Sequence, residues 1–292
     1  MHLTIRFSYG SGNRKPLLAN PIPNLIALYN HFQLVRKYLL YYFSASNGKG
    51  HGVHSPFVFD FIKNVLSDKK IYACYSKIEQ RRKELLANND LIEVEDFGAG
   101  SSLIASSSRK VNAIAASSVK SKKYGQLLFR MIQYYQPSSL LELGTSLGIT
   151  SSYLSQGNPS AKLITCEGAS KIAAIAQQTF DTMGLDNIEI IEGDFTKTLP
   201  LLFSRMKTVD FAFVDGNHRK SSTIQYFQQL VDHSLPNSIF VMDDIHWSSE
   251  MEEAWSCIQQ NPAVTLTIDL FFMGVVFINP TFKVKQHFTI RF

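Results

Sequence analysis

The sequence predicts an α/β fold: a doubly wound, mostly parallel seven-stranded sheet with its last strand antiparallel, preceded by a helical N-terminal extension. Three observations carry this expectation. From Leu140 onward, short apolar runs alternate with segments of helical periodicity at the spacing of βαβ units. Glycines and acids follow the first five of those runs. The last two runs are separated only by Phe271, Phe272 and Met273, and a helix-free connection implies an antiparallel strand.

Taken in order, residues 1 to 22 carry Gly10, Gly12, Pro16 and Pro21 and read as a flexible leader. Residues 24 to 43 read as an amphipathic helix with Leu25, Leu28, Phe32, Val35 and Leu39 on one face. Asn30, His31, Gln33, Arg36 and Lys37 interrupt it, which argues against a membrane span. Phe57 to Leu66 and Lys77 to Leu86 read as further helices, and Ile92 to Val119 has no clear pattern. Tyr124 to Tyr135 repeats apolar residues at helical spacing and is closed by Pro137. The seven strands are then expected at 140–143, 163–166, 188–191, 209–214, 238–242, 264–270 and 274–278, with helices between the first six. We divide the chain into the leader (1–22), a helical extension or lid (23–90) and a sheet domain (91–292).

The bulk numbers narrow the function. The chain has 292 residues, 45% hydrophobic and 18% charged, which suits a globular protein with a substantial core. The net charge of +5 is spread over short pieces such as Arg81 to Lys83 and Lys120 to Lys123, read as solvated helix faces, so nucleic-acid binding is not favoured. Cys74, Cys166 and Cys257 lack zinc or disulfide spacing and fit a reducing, cytoplasmic setting. The N-terminus lacks the pattern of a secretory signal.

In such sheets ligands bind beyond the carboxyl ends of the strands. Those positions hold Glu142, Gly144, Thr145, Ser146 and Gly148, then Glu167, then Gly193, Asp194 and Phe195, then Asp215 to His218, and finally Asp243, Asp244 and His246. Gly144 and Gly148 alone fit a structural turn equally well. Glu167 falls about twenty residues later, at the next strand end, where an acid can bind ribose hydroxyls; its alternative role is to cap the following helix. Neither the dinucleotide G-x-G-x-x-G pattern nor the P-loop is present.

Residues 123 to 255 resemble class I S-adenosylmethionine-dependent methyltransferases, within them the catechol O-methyltransferase-like small-molecule group. The resemblance rests on Leu140 to Gly148, Ile164 to Glu167, Glu192 to Phe195, Val214 to His218, Met242 to Asp244 and the leading Lys123 to Gln126. It implies a Rossmann-like methyltransferase fold and S-adenosyl-L-methionine as cofactor. Glu142 would meet the methionine amino group, Gly144 to Gly148 the methionine portion, Thr150 its carboxylate, Glu167 the ribose, and Asp194 and Phe195 the adenine. Asp215 would lie near the reacting methyl. His218 is the candidate general base; catechol O-methyltransferase has a lysine in that place. Asp215, Asp243 and Asp244 stand where related enzymes hold magnesium, so Mg2+ is a candidate metal, although the usual Asp-Asn pair is Asp243-Asp244 here and metal-free relatives also keep acids.

Several residues keep two readings. His246 and Trp247 either line the pocket or pack against the next helix. His51 and His54 either make local hydrogen bonds or belong to a lid over the substrate. Asp96 to Ser101 imitates the glycine turn, but no acid-ended strand follows it, so Phe97 to Ser102 reads as a loop. The expected reaction is in-line O-methylation of a small molecule; a homodimer is compatible with the sequence. RNA or protein methylation and non-catalytic cofactor binding are the alternatives, the first weakened by the lack of an Asn/Asp-Pro-Pro-Tyr/Phe motif.

Overall fold

The structure, a computed structural model, describes residues 29–46, 48, 50, 54–96 and 105–292. The leader over 1–22, Leu25, Leu28, His51 and the Phe97 to Ser102 segment lie outside the described residues. The chain begins with α1 (His31–Ser44), α2 (Pro56–Phe61) running into a π-helical turn (Ile62–Leu66), and α3 (Ala73–Ala87). An antiparallel pair follows, β1 (Leu91–Asp96) and β2 (Ala105–Lys110), then α4 (Val111–Ser118) and α5 (Lys122–Tyr135). The alternating part comprises β3 (Ser139–Leu143), α6 (Ile149–Gly157), β4 (Lys162–Glu167), α7 (Ser170–Met183), β5 (Ile188–Glu192), α8 (Phe195–Arg205), β6 (Val209–Val214), α9 (Lys220–Asp232), β7 (Ser234–Asp243) and α10 (Ser249–Gln260). Three strands close it: β8 (Leu266–Asp269), β9 (Met273–Ile278) and β10 (Gln286–Thr289).

The main sheet has eight strands in the order β10-β8-β9-β7-β6-β3-β4-β5. Neighbouring pairs from β7 to β5 are parallel, β9 is antiparallel to both β7 and β8, and β10 is parallel to β8. The expected mostly parallel α/β fold is therefore present, and the run expected to be antiparallel, 274–278, is β9; the one correction is an eighth strand, β10, that follows it among the described residues. The eighth strand escaped notice because it is a four-residue edge strand, half-exposed, in a Lys- and His-bearing run.

Period-two alternation divides the side chains between the sheet's faces. Leu140, Phe211, Phe213 and Val241 pack beneath α2 and α5 with Phe61, Leu128 and Ile132. Leu141, Ala212, Val214 and Phe240 pack on the other face with Leu202 of α8, Phe227 of α9 and Trp255 of α10. A third cluster joins α3, β1 and α4 to α5, α6 and α7 through Tyr75, Ile78, Val94, Ile114, Phe129, Tyr153 and Phe180. Helix ends follow local chemistry. Gly184 closes α7 at φ +66°, and the Ser248 hydroxyl accepts from the Met251 amide at the start of α10, where Glu250 and Glu252 meet the helix dipole.

Helix α1 presents a different face from the one its periodicity predicts. Phe32, Val35 and Leu39 point to solvent, while Tyr38 and Tyr41 pack on Phe271 with ring centroids 5.1 and 5.2 Å apart. The helix is apolar on more than one side, so the aromatic contact decides its rotation. Among the described residues, no helix is long and apolar enough to cross a membrane.

A polar strap holds α1 to the sheet. Tyr29 and Lys37 both donate to Glu252, at 2.7 and 2.9 Å. His246 lies between Glu252 (2.9 Å) and Asp269 (2.8 Å) and stacks on Phe271. Burial would lower the His246 pKa, but Asp269 and Glu252 outweigh it and hold it above the ordinary value. A raised pKa stabilises the fold fully below pH 6.5 and ceases to do so as pH climbs through the folded-state value. The melting-temperature gap between the native chain and His246→Gln should therefore be widest below pH 6.5 and narrow above it in thermal scans.

Candidate active site

The five parallel strands β3 to β7 end on one rim, and their following turns surround a cavity of 790 Å³. That volume suits a cofactor together with a small partner. The turn after β3 is the tightest. Gly144 has φ +102°, and a Cβ there would lie 2.1 Å from the Asp215 carbonyl oxygen. This backbone approach is open only to glycine. Gly148 has φ +82° and is backed by the Phe180 ring.

Glu167 ties that turn to the next strand. Its carboxylate accepts from the Ser146 amide at 2.9 Å and from the Ala169 amide at 3.0 Å. It thus borders the start of α7, as the capping alternative required, and also lines the cavity. Burial raises its pKa despite those amides. Glu142 sits deeper, fully buried. Its Oε2 accepts from Ser151 and, at 2.6 Å, from Thr165, while Oε1 has no partner among the described residues. Burial pushes its pKa up to about 8.

At the end of β5, the Asp194 carboxylate accepts from the Thr196 amide at 2.8 Å and caps α8. The Phe195 ring lies against Gly216, where a Cβ would come within 2.5 Å of it. After β6 and β7 the acids gather. In-register pairing of Val214 with Met242 places Asp215 beside Asp243. Asp243 is 2% exposed. Lys120, from the α4–α5 link, inserts its ammonium among the acids. It bonds Asp243 directly and lies 3.6 Å from Asp215 Oδ2 and 3.9 Å from Asp244 Oδ1. His218 Nε2 is 3.5 Å from Asp215 Oδ1.

The charges follow from this geometry. Burial would raise Asp215, but Lys120 and His218 hold it below the ordinary carboxylate range. Burial and the neighbouring Asp215 push Asp243 well above that range, and burial raises Asp244. For Lys120, burial is outweighed by the three acids, so its pKa rises. For His218, burial is likewise outweighed, by the contact with Asp215, and its pKa is also raised.

Of the residues singled out in the sequence, Gly144, Ser146, Glu167, Gly193, Asp194, Phe195, Asp215, His218, Asp243, Asp244 and Trp247 line this cavity. Glu142, Thr145, Gly148 and Thr150 are not in its lining and support the turn from behind; Thr145, for example, bonds Thr165 at 2.7 Å. His246 is not in the lining either and belongs to the strap, while His54 is exposed. Sequence reasoning missed Lys120, Tyr124, Arg109 and Phe272, which also line the cavity. The sequence places Lys120 in a solvated basic face, yet its side chain is only 19% exposed. A lone lysine in a polar link carries no signal that three acids from distant strands converge on it.

The arrangement matches known proteins. A family model described as a methyltransferase domain covers residues 141–245. The catechol O-methyltransferase of Niastella koreensis is 31% identical over 160 residues, 54% of this chain and 70% of that protein. The chain belongs to the catechol O-methyltransferase-like family. It is thus a class I S-adenosylmethionine-dependent methyltransferase. The catechol O-methyltransferase of Sus scrofa is 36% identical over 98 residues. The chain spans about half the length of the mammalian relatives it matches, 53% of that protein and 48% of a transmembrane O-methyltransferase homolog of Rattus norvegicus. Two solved structures share the fold. The Bacillus cereus O-methyltransferase has a TM-score of 0.51 and 19% identity, over 76% of this chain and 97% of its own. The Podospora anserina methyltransferase has a TM-score of 0.53 and 14% identity, over 89% and 98%.

Two outcomes follow for this rim. Gly144→Ala should cost about 1–3 kcal/mol of stability from overpacking alone, measured by denaturant unfolding. Glu167→Ala should weaken S-adenosylmethionine binding by roughly 10- to 100-fold, the worth of one or two charged hydrogen bonds, measured by calorimetry.

Proposed function

We propose that this chain methylates an oxygen atom of a small aromatic molecule, with S-adenosylmethionine as donor. The observation that carries this reading is the polarity of the cavity. Its lining combines Glu167 and the glycine turn with a carboxylate–histidine–lysine cluster and the rings of Tyr124, Trp247 and Phe272. The residues present fit the cofactor. A close-approach glycine turn, the aimed Glu167 carboxylate and the unpartnered Ser146 hydroxyl are the donors and acceptors it needs. When bound, it would supply an electrophilic sulfonium methyl for transfer to the acceptor oxygen.

The chain's own groups do the rest. Ser146 and Glu167 would fix the ribose and methionine portion, and Asp194 and Phe195 would border the adenine. The Tyr124 and Phe272 rings meet edge to face with centroids 5.8 Å apart, and Trp247, 41% exposed, also belongs to the cavity wall. Such walls suit a flat ring. His218, steadied by Asp215, would take the proton of the acceptor hydroxyl, and Asp215 would balance the charge that forms on the imidazole. Holding nucleophile and methyl in line supplies the main rate gain.

Magnesium would draw on Asp215, Asp243 and Asp244 as oxygen ligands. In this arrangement they do not fit it, because the Lys120 ammonium stands at the point where the three carboxylates face one another.

The test is turnover on a panel of catechols, monophenols and aliphatic alcohols, read as S-adenosylhomocysteine release and as the methyl ether formed. Methylation confined to the aromatic hydroxyls supports the reading; none on any of them rejects it. With an accepted substrate, His218→Gln should lower kcat by about 10²–10⁴-fold, the usual contribution of a positioned base. Cofactor affinity, read by calorimetry, should stay unchanged.

A further inference from the structure

We infer that Lys120 is a built-in cation that takes the place of a divalent metal at the Asp215–Asp243–Asp244 cluster and binds the acceptor oxygen as an anion. The inference rests on the methyl-transfer reading for its chemistry, but its structural part stands on geometry alone. Ligand atoms of Asp215, His218 and Asp243 lie within 4.8 Å of one another, a spacing that could hold an ion. The Lys120 ammonium bonds Asp243 and reaches within 3.6 Å of Asp215 and 3.9 Å of Asp244. A magnesium ion needs its oxygens at about 2.0–2.1 Å and cannot share that space with an ammonium group.

The lysine is also placed to win the competition. Its neighbour Ser121 opens α5, where the Ser121 carbonyl accepts from the Tyr124 and Gly125 amides at 3.1 and 3.0 Å. The residue that follows Lys120 is therefore anchored at the start of α5. A tethered group reaches its site at high effective concentration, whereas magnesium sheds its bound water reluctantly.

The ammonium remains on the cavity wall. One of its protons is engaged by Asp243, leaving others for an incoming oxygen. Among the described residues, Asp243 Oδ1 is buried without a hydrogen-bond partner, an acceptor for a further donor on the ligand. The acceptor oxygen is then held by Lys120 as an anion. In the transfer, the hydroxyl proton passes to His218, the oxygen pair bonds the methyl carbon, and the S–C pair departs on sulfur.

Titrating the full chain with Mn2+ and reading free ion by electron paramagnetic resonance tests this without any turnover. The native chain and Lys120→Arg should leave Mn2+ free, while Lys120→Ala and Lys120→Gln should bind one ion at least about tenfold more tightly once the tethered competitor is gone. Native turnover should be unchanged by EDTA. Lys120→Gln should lose about 10²–10³-fold in kcat, as for a removed electrostatic donor. Stoichiometric Mn2+ binding by the native chain, EDTA-sensitive turnover, or neutral variants that bind no better than native would each overturn the inference. Calorimetry with S-adenosylmethionine confirms that each variant is folded. If no substrate is ever methylated, the functional reading fails while the Mn2+ result still decides the role of Lys120.

Discussion

Three carboxylates meeting at the ends of two adjacent strands set the terms for everything around them. Parallel pairing of β6 with β7 brings Asp215 and Asp243 side by side, and Asp244 follows in the next turn. Like charges held this close repel, and burial with that repulsion already pushes Asp243 well above the ordinary carboxylate range, so the cluster favours a nearby cation. Lys120 answers that demand from outside the sheet. The α4–α5 link must therefore lie over the rim, and α4, with Ile114 in the cavity wall, is drawn into place with it. Electrostatics at the rim thus helps dock the N-terminal elements onto the sheet, in addition to the apolar contacts of Tyr75, Ile78 and Phe129.

How much of this was legible depended on whether a signal was local. The strand ends were, because apolar runs followed by glycine or acid can be read over a few residues; β6 runs from Val209 to Val214, as its sequence predicts. So was the glycine turn, whose need for φ above zero at Gly144 and Gly148 is written in residue type. The β1–β2 pair was not, since Ser106, Ser107 and Ser108 lack the branched side chains that mark a strand. Nor was the rotation of α1, which is settled by Phe271, more than two hundred residues away.

The site divides along the same line. Glu167 and the acids announced themselves by position after strands. Lys120, Tyr124 and Phe272 come from a link, a helix and a hairpin end, and only tertiary folding brings them to one cavity. Glu142 marks the opposite case. It sits at the expected place after β3's apolar residues, yet it faces Ser151 and Thr165 inside the protein rather than the cavity. Position along a strand predicts which end a residue occupies, not how deep it lies.

The backbone of the rim adds a last consequence. Ser146, Asn217, His218 and Asp244 all have positive φ, at 48°, 65°, 23° and 52°, and all four belong to the cavity lining. Asn217 and Asp244 are of the types that tolerate this region, whereas at Ser146 and His218 it carries a cost that persists where surrounding structure enforces it. Selection for heat resistance would accordingly favour glycine at Ser146 and His218, and each such gain would slacken a wall of the cavity. In this fold, ruggedness and a well-ordered rim pull evolution in opposite directions.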